Sequence, residues 1–162
     1  MTKKELNAIV TEELERFGIK KAKCSNSFEC SFEKNIVYFA PAMGGIEDIL
    51  YSQFLFDRFD FEDKYPFVMS LLHEIGHLKN NDDVINNVYA FCLGEKYKIQ
   101  QTLFDTDDND KEKIKNLNYR YFSLPDEIMA TAWAVNYCKS NPKDIKRMAK
   151  RFEKALNEYN NK

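Results

Sequence analysis

The sequence predicts an α+β fold, mostly helical, with a small antiparallel sheet near the N-terminus and a central helix carrying the pattern H-E-x-x-H. Three observations lead there. Long stretches repeat apolar residues at helical spacing. Three short β-prone runs crowd between residues 22 and 40. Both histidines fall in one run, His73-Glu74-Ile75-Gly76-His77. With 162 residues, 44% of them hydrophobic and 14% aromatic, the chain can bury its own core, and residues 1–162 are read as a single domain.

The first helix covers residues 3–17, with Leu6, Ile9, Val10, Leu14 and Phe17 at helical spacing, and Gly18 stops it. Ala22–Cys24, Phe28–Phe32 and Ile36–Ala40 follow as strands, divided by the turn-forming runs Ser25-Asn26-Ser27 and Lys34-Asn35. Pro41 and Gly44-Gly45 end the sheet. Residues 46–59 carry a broad apolar helical face. Residues 65–78 form the motif helix, whose histidines stand among Phe67, Val68, Leu71, Leu72 and Ile75. A helix apolar nearly all round belongs in the interior. Another helix spans about 84–103. The acidic run Asp105–Asp110 alternates like a calcium loop, but it has Asp110 where that pattern needs Gly and Asn116 where it needs Glu. It reads as a solvated loop. Ser123-Leu124-Pro125-Asp126 reads as a capping box opening a helix to about Tyr137. Asn141-Pro142-Lys143-Asp144 opens a last helix to about Tyr159.

Net charge is −2, from 24 basic and 26 acidic residues, so no global basic excess points to nucleic acid. The N-terminus runs straight into an amphipathic helix without the apolar region of a secretory signal. No run of about 18 apolar residues appears, so no membrane span is expected. The cysteines Cys24, Cys30, Cys92 and Cys138 form no C-x-x-C pair and are read as reduced thiols of a cytoplasmic protein. Cys24 and Cys30 could alternatively meet across a hairpin or serve a second metal site.

On a helix, His73 and His77 stack at i and i+4 on one face, where two neutral imidazoles can share one Zn²⁺. Such a site needs a third protein ligand and leaves a fourth position for water. Glu74 stands beside them, where a general base for that water is useful. Gly76 allows another backbone to approach this helix. No histidine remains, so the third ligand is a carboxylate or, failing that, a cysteine. Glu127 is favoured, in the first turn of a capped helix where the small Ala130 permits close packing. Asp83, six residues after His77, fits the spacing of an extended H-E-x-x-H-x-x-x-x-x-D pattern, and Asp126 is a further alternative. A second oxyanion donor is expected from a tyrosine, with Tyr119, Tyr121 and Tyr137 flanking the Glu127 helix.

The runs LLHEIGH and DEIMATAWA together resemble the ImmA/IrrE class of metallopeptidases of phages and mobile elements. Their pattern is H-E-x-x-H followed, on a later helix, by Glu-x-x-Ala-x-x-aromatic-Ala. Here that is Glu127, Ala130, Trp133 and Ala134. The stretches NIVYFAP and DIKRMAKRFEKALNEY are similar to the strand before the active-site helices and to the closing helix of such domains. The segment from Leu78 to Phe122 is longer than in that class. The resemblance implies a zincin-like fold, His73, His77 and Glu127 as zinc ligands, and Glu74 as catalytic base. It further implies limited cleavage of a protein partner, usually a helix-turn-helix repressor. Two other readings stand beside this one. The first is a catalytically silent binding protein on a zincin scaffold. The second is a DNA-associated regulator using Lys143, Lys146, Arg147, Lys150, Arg151 and Lys154 as a basic arm, although direct nucleic-acid binding is not the favoured expectation.

Overall fold

The structure, a computed structural model, describes residues 1–42, 46–80 and 86–161. Gly44-Gly45 and the candidate ligand Asp83 lie outside the described residues. Among those described, the chain forms seven helices and three strands. Helix α1 spans Lys3–Glu15. It starts in a capping box, with Thr2 Oγ1 accepting the Glu5 N–H and Glu5 Oε2 accepting the Thr2 N–H. It buries Leu6, Val10 and Leu14 and gives way to Gly18, whose φ of +79° is the left-handed conformation that stops a helix.

Strands β1 (Lys21–Cys24), β2 (Glu29–Ser31) and β3 (Ile36–Phe39) sit where the alternating runs predict them. The predicted antiparallel sheet is corrected to a mixed one. Its order is β1-β3-β2, with β1 parallel and β2 antiparallel to β3. The reason lies in α1. Asn7 Oδ1 accepts the Cys24 N–H at 2.6 Å and Thr11 Oγ1 accepts the Ala22 N–H at 2.9 Å, so helix side chains occupy one edge of β1. The tight return through Asn35 (φ 51°) pairs β2 with β3, and β3 lands between the other two strands. Cys24 therefore pairs with Phe39 and Cys30 with Val37 on opposite sides of β3. The two thiols do not meet, and the four cysteines are free.

Helix α2 spans Ile46–Phe59 and α3, the motif helix, Pro66–Lys79. Pro66 opens α3 at a position whose N–H has no helical partner. From Val68 to Gly76 every residue but Ser70 is buried. Helices α4 (Asn86–Phe104), α5 (Lys111–Phe122), α6 (Pro125–Ser140) and α7 (Pro142–Asn160) complete the chain. No element is expected over α5 from the sequence. Its start is marked by Asp110, which caps it by accepting the Lys113 N–H at 3.1 Å. The predicted capping box at Ser123 does not form. Leu124 is the N-cap of α6, and Ser123 Oγ donates instead to the Tyr119 carbonyl.

One buried cluster joins Leu6 of α1, Ala22 of β1, Val37 of β3, Leu55 of α2, Leu71 of α3, Val135 of α6 and Phe152 of α7. The most intimate packing is α3 on α6, with α7, β2 and β3 also against α3. Helices α1 and α7 are joined by charge. Buried Glu13 accepts from Arg147 at 2.6 Å and from Arg151 at 2.6 Å, which holds its carboxyl down at about 2. No described helix is long and apolar enough to cross a membrane.

Candidate metal centre

The site begins with a helix crossing. A side chain at Gly76 would collide with the Ala130 backbone, so α3 and α6 run in contact there. This brings one face of α3, with His73 and His77, against the first turn of α6, with Glu127. The two Nε2 atoms lie 3.1 Å apart. Glu127 Oε2 is 2.8 Å from His73 Nε2, and Oε1 is 3.3 Å from His77 Nε2. His73, His77 and Glu127 form a group that could hold a metal ion, with His73 and Glu127 buried and His77 half-buried.

The donor set fits a small divalent cation. Ligands about 2.0–2.1 Å from a tetrahedral centre stand roughly 3.3 Å from one another, close to the separations found here. The carboxylate supplies one negative charge and the imidazoles two neutral nitrogens. The charges of the site hold one another. Burial disfavours an imidazolium at His73, but the carboxylates of Glu127 and Glu74 together hold that group above its ordinary value. Burial also opposes the Glu127 carboxylate, and the two histidines hold its pKa well below the usual range.

The surroundings fix the ligands. Thr131, fully buried and one turn beyond Glu127, places Oγ1 3.0 Å from His73 Nδ1, and the Tyr51 hydroxyl lies 3.4 Å from the same nitrogen. With Nδ1–H donating to Thr131, the Nε2 lone pair points into the site. Lys96 of α4 donates to Glu127 Oε1 and Asp126 Oδ2, each at 2.5 Å. Asp126 is thus beside the site, tied to the lysine, and does not belong to the ligand group.

Glu74 is buried, and it faces the same cleft of about 970 Å³ as the histidines. Burial pushes its carboxyl up, His73 and His77 pull it down, and the net direction is up. Burial above all, and then the Glu74 carboxylate, push the thiol of Cys30 in β2 up. Of the three tyrosines named as oxyanion donors, Tyr121 lines the cleft. Tyr137 donates to Asp144 and stacks on Trp133, while Tyr119 packs on Phe54.

The sequence reading missed Thr131, Tyr51 and Lys96. Thr131 had a signal, since it stands four residues after Glu127 on one helix face. Tyr51 and Lys96 had none, because only the tertiary fold brings α2 and α4 here. In comparisons with known proteins, no family model, no curated protein and no solved structure matches this chain.

Proposed function

We propose that this chain is a zinc-dependent endopeptidase of zincin type that makes a limited cut in a protein partner. The observation that carries the reading is the convergence of His73, His77 and Glu127 from two helices, with Glu74 in the same cleft. Two imidazoles and a carboxylate are a donor set suited to catalytic zinc, which leaves a coordination position open. Zinc bound there would polarise a carbonyl and make a nearby water acidic near neutral pH.

This chain's own residues supply the rest. Glu74 takes the proton from the attacking water and returns it to the leaving amine nitrogen. Its upward-shifted pKa suits a group that must both accept and release a proton. Tyr121 stays protonated, since burial pushes its phenol up to about 12, and can donate to the developing oxyanion. β2 is an edge strand of the described sheet, and its Glu29 and Cys30 line the cleft, so an extended peptide can pair with its main chain. Phe28, Phe32, Leu93 and Phe122 give that cleft apolar walls.

The resemblance of the two motifs to ImmA/IrrE metallopeptidases supports a helix-turn-helix repressor of a phage or mobile element as substrate. The DNA-associated reading loses support because Arg147 and Arg151, two of its six basic positions, are committed to Glu13. The test is elemental analysis of protein purified without chelator, followed by incubation of the zinc-loaded chain with candidate helix-turn-helix repressors. One zinc per chain and a discrete pair of fragments are expected. No transition metal, even after zinc addition, defeats the reading.

A further inference from the structure

Lys96 is the cationic side chain lining the cleft, and the chemistry above leaves it without a task. Its neighbours in sequence, Glu95, Tyr97 and Lys98, make a stretch that looks like solvated surface, yet its side chain is only 14% exposed. Its Nζ bridges Asp126 Oδ2 and Glu127 Oε1 and lies 5.1 Å from the centre of the Tyr121 ring. Asp126 and Glu127 are consecutive, and both are buried. Two neighbouring carboxylates withdrawn from water repel each other and lose hydration, so they need a cation. Among the described residues, Lys96 is the permanently charged one that pairs with them. The other partners of Glu127 are imidazoles. Asp126 Oδ1 is buried without a hydrogen-bond partner among the described residues, so Asp126 leans on Lys96 through its other oxygen.

We propose that Lys96 is the internal counter-ion of the metal site. It is a positioning residue that holds Glu127 in its ligating posture when no metal is present and competes with a bound cation for the same carboxylate. The proposal rests on the reading of His73, His77 and Glu127 as metal ligands. Its consequence follows from linkage. A cation in the site takes over the compensation of Glu127, so losing Lys96 costs the metal-free state more than the metal-bound state. The ammonium also repels a divalent ion a few ångströms away. Metal affinity is therefore set below what the three ligands alone would give, and the site can empty without the fold collapsing.

The test is a zinc titration of the full chain against a chromophoric chelator, with thermal melts with and without zinc. Lys96→Met is expected to lower the melting temperature of the metal-free protein by several degrees. It should raise zinc affinity roughly tenfold or more. Lys96→Arg keeps the charge and should stay close to wild type in both. If Lys96→Met binds zinc no more tightly than wild type, the counter-ion role is overturned even where stability falls. Should Lys96→Met fail to fold without zinc, the pair Lys96→Met and Asp126→Asn removes one charge of each sign. Its affinity is expected above that of Asp126→Asn alone, and an affinity equal to or below that single variant overturns the proposal. Wild-type protein that takes up no zinc would instead sink the metal reading itself, so the two failures are distinguishable.

Discussion

Gly76 of α3 and Ala130 of α6 meet backbone to backbone. A methyl group at Gly76 would stand 2.4 Å from the Ala130 carbonyl oxygen and 2.9 Å from its Cα. This contact sets the separation of the two helices one residue before His77 and three after Glu127. The Nε2–carboxylate distances of 2.8 and 3.3 Å are consequences of that separation.

Gly76→Ala tests the crossing. Alanine is the better helix former by about 1 kcal/mol, so in an open helix it would stabilise. Here the methyl meets main chain, which cannot rotate away, and forced overpacking costs roughly 1–3 kcal/mol. Chemical denaturation is expected to show a net loss of stability. Zinc affinity should fall with it, because the helices must part at the ligands.

The acid network between α1 and α7 makes a pH prediction. Glu13 has its carboxyl lowered from 4.5 to about 2, mainly by its hydrogen bond to Arg147 and opposed by burial. A carboxyl with a depressed folded pKa stabilises above its unfolded value, and that contribution disappears as pH falls towards the folded value. Wild type should therefore exceed Glu13→Gln by roughly 1–3 kcal/mol at neutral pH. The gap should close between pH 4.5 and about 2. Paired melts across that range check it, and a gap that persists at pH 2 would remove the ion pairs as its source.

Glu74→Gln separates chemistry from binding. Glutamine has nearly the shape of glutamate but cannot accept a proton. The variant should keep its zinc and its melting temperature while losing hydrolysis by at least a hundredfold, a typical worth of positioned acid–base catalysis. Wild-type rates in this variant would exclude Glu74 as the base.

Where did the sequence speak, and where did it not? The pairing of His73 with His77 was legible because a helix converts i, i+4 spacing into shared direction. The favoured carboxylate, Glu127, stands with the two histidines in the structure because Gly76 and Ala130, both small, let the helices touch. The strands were legible from alternation, but their order was not, since Asn7 and Thr11 of α1 decide which edge of β1 is taken. Helix α5 hid because Lys111–Phe122 is polar, with Leu117 its one buried residue, and its cap Asp110 sits inside an acidic run. Lys96 hid because a buried cation and a surface cation look alike in sequence. Only the meeting of α4 with the start of α6 tells them apart.

Thr131 offers the test that depends most on detailed geometry. Its hydroxyl, 3.0 Å from His73 Nδ1, can fix the imidazole with Nδ1 protonated and Nε2 open towards the site. Thr131→Val keeps the volume and the β-branched shape and removes only the hydrogen bond. Tyr51, at 3.4 Å from the same nitrogen, is a weaker partner that retains some of the orientation. Zinc affinity should therefore drop by about tenfold to a hundredfold, the usual range for losing an outer partner of a metal-ligating histidine. Thr131→Ser keeps a hydroxyl and should recover most of that loss. Glu127→Ala, which removes a ligand outright, should weaken zinc further than Thr131→Val, whereas Asp83→Ala should barely change it. An ordering with Asp83 ahead of Glu127 would move the third ligand off α6 and strip Thr131 of its role.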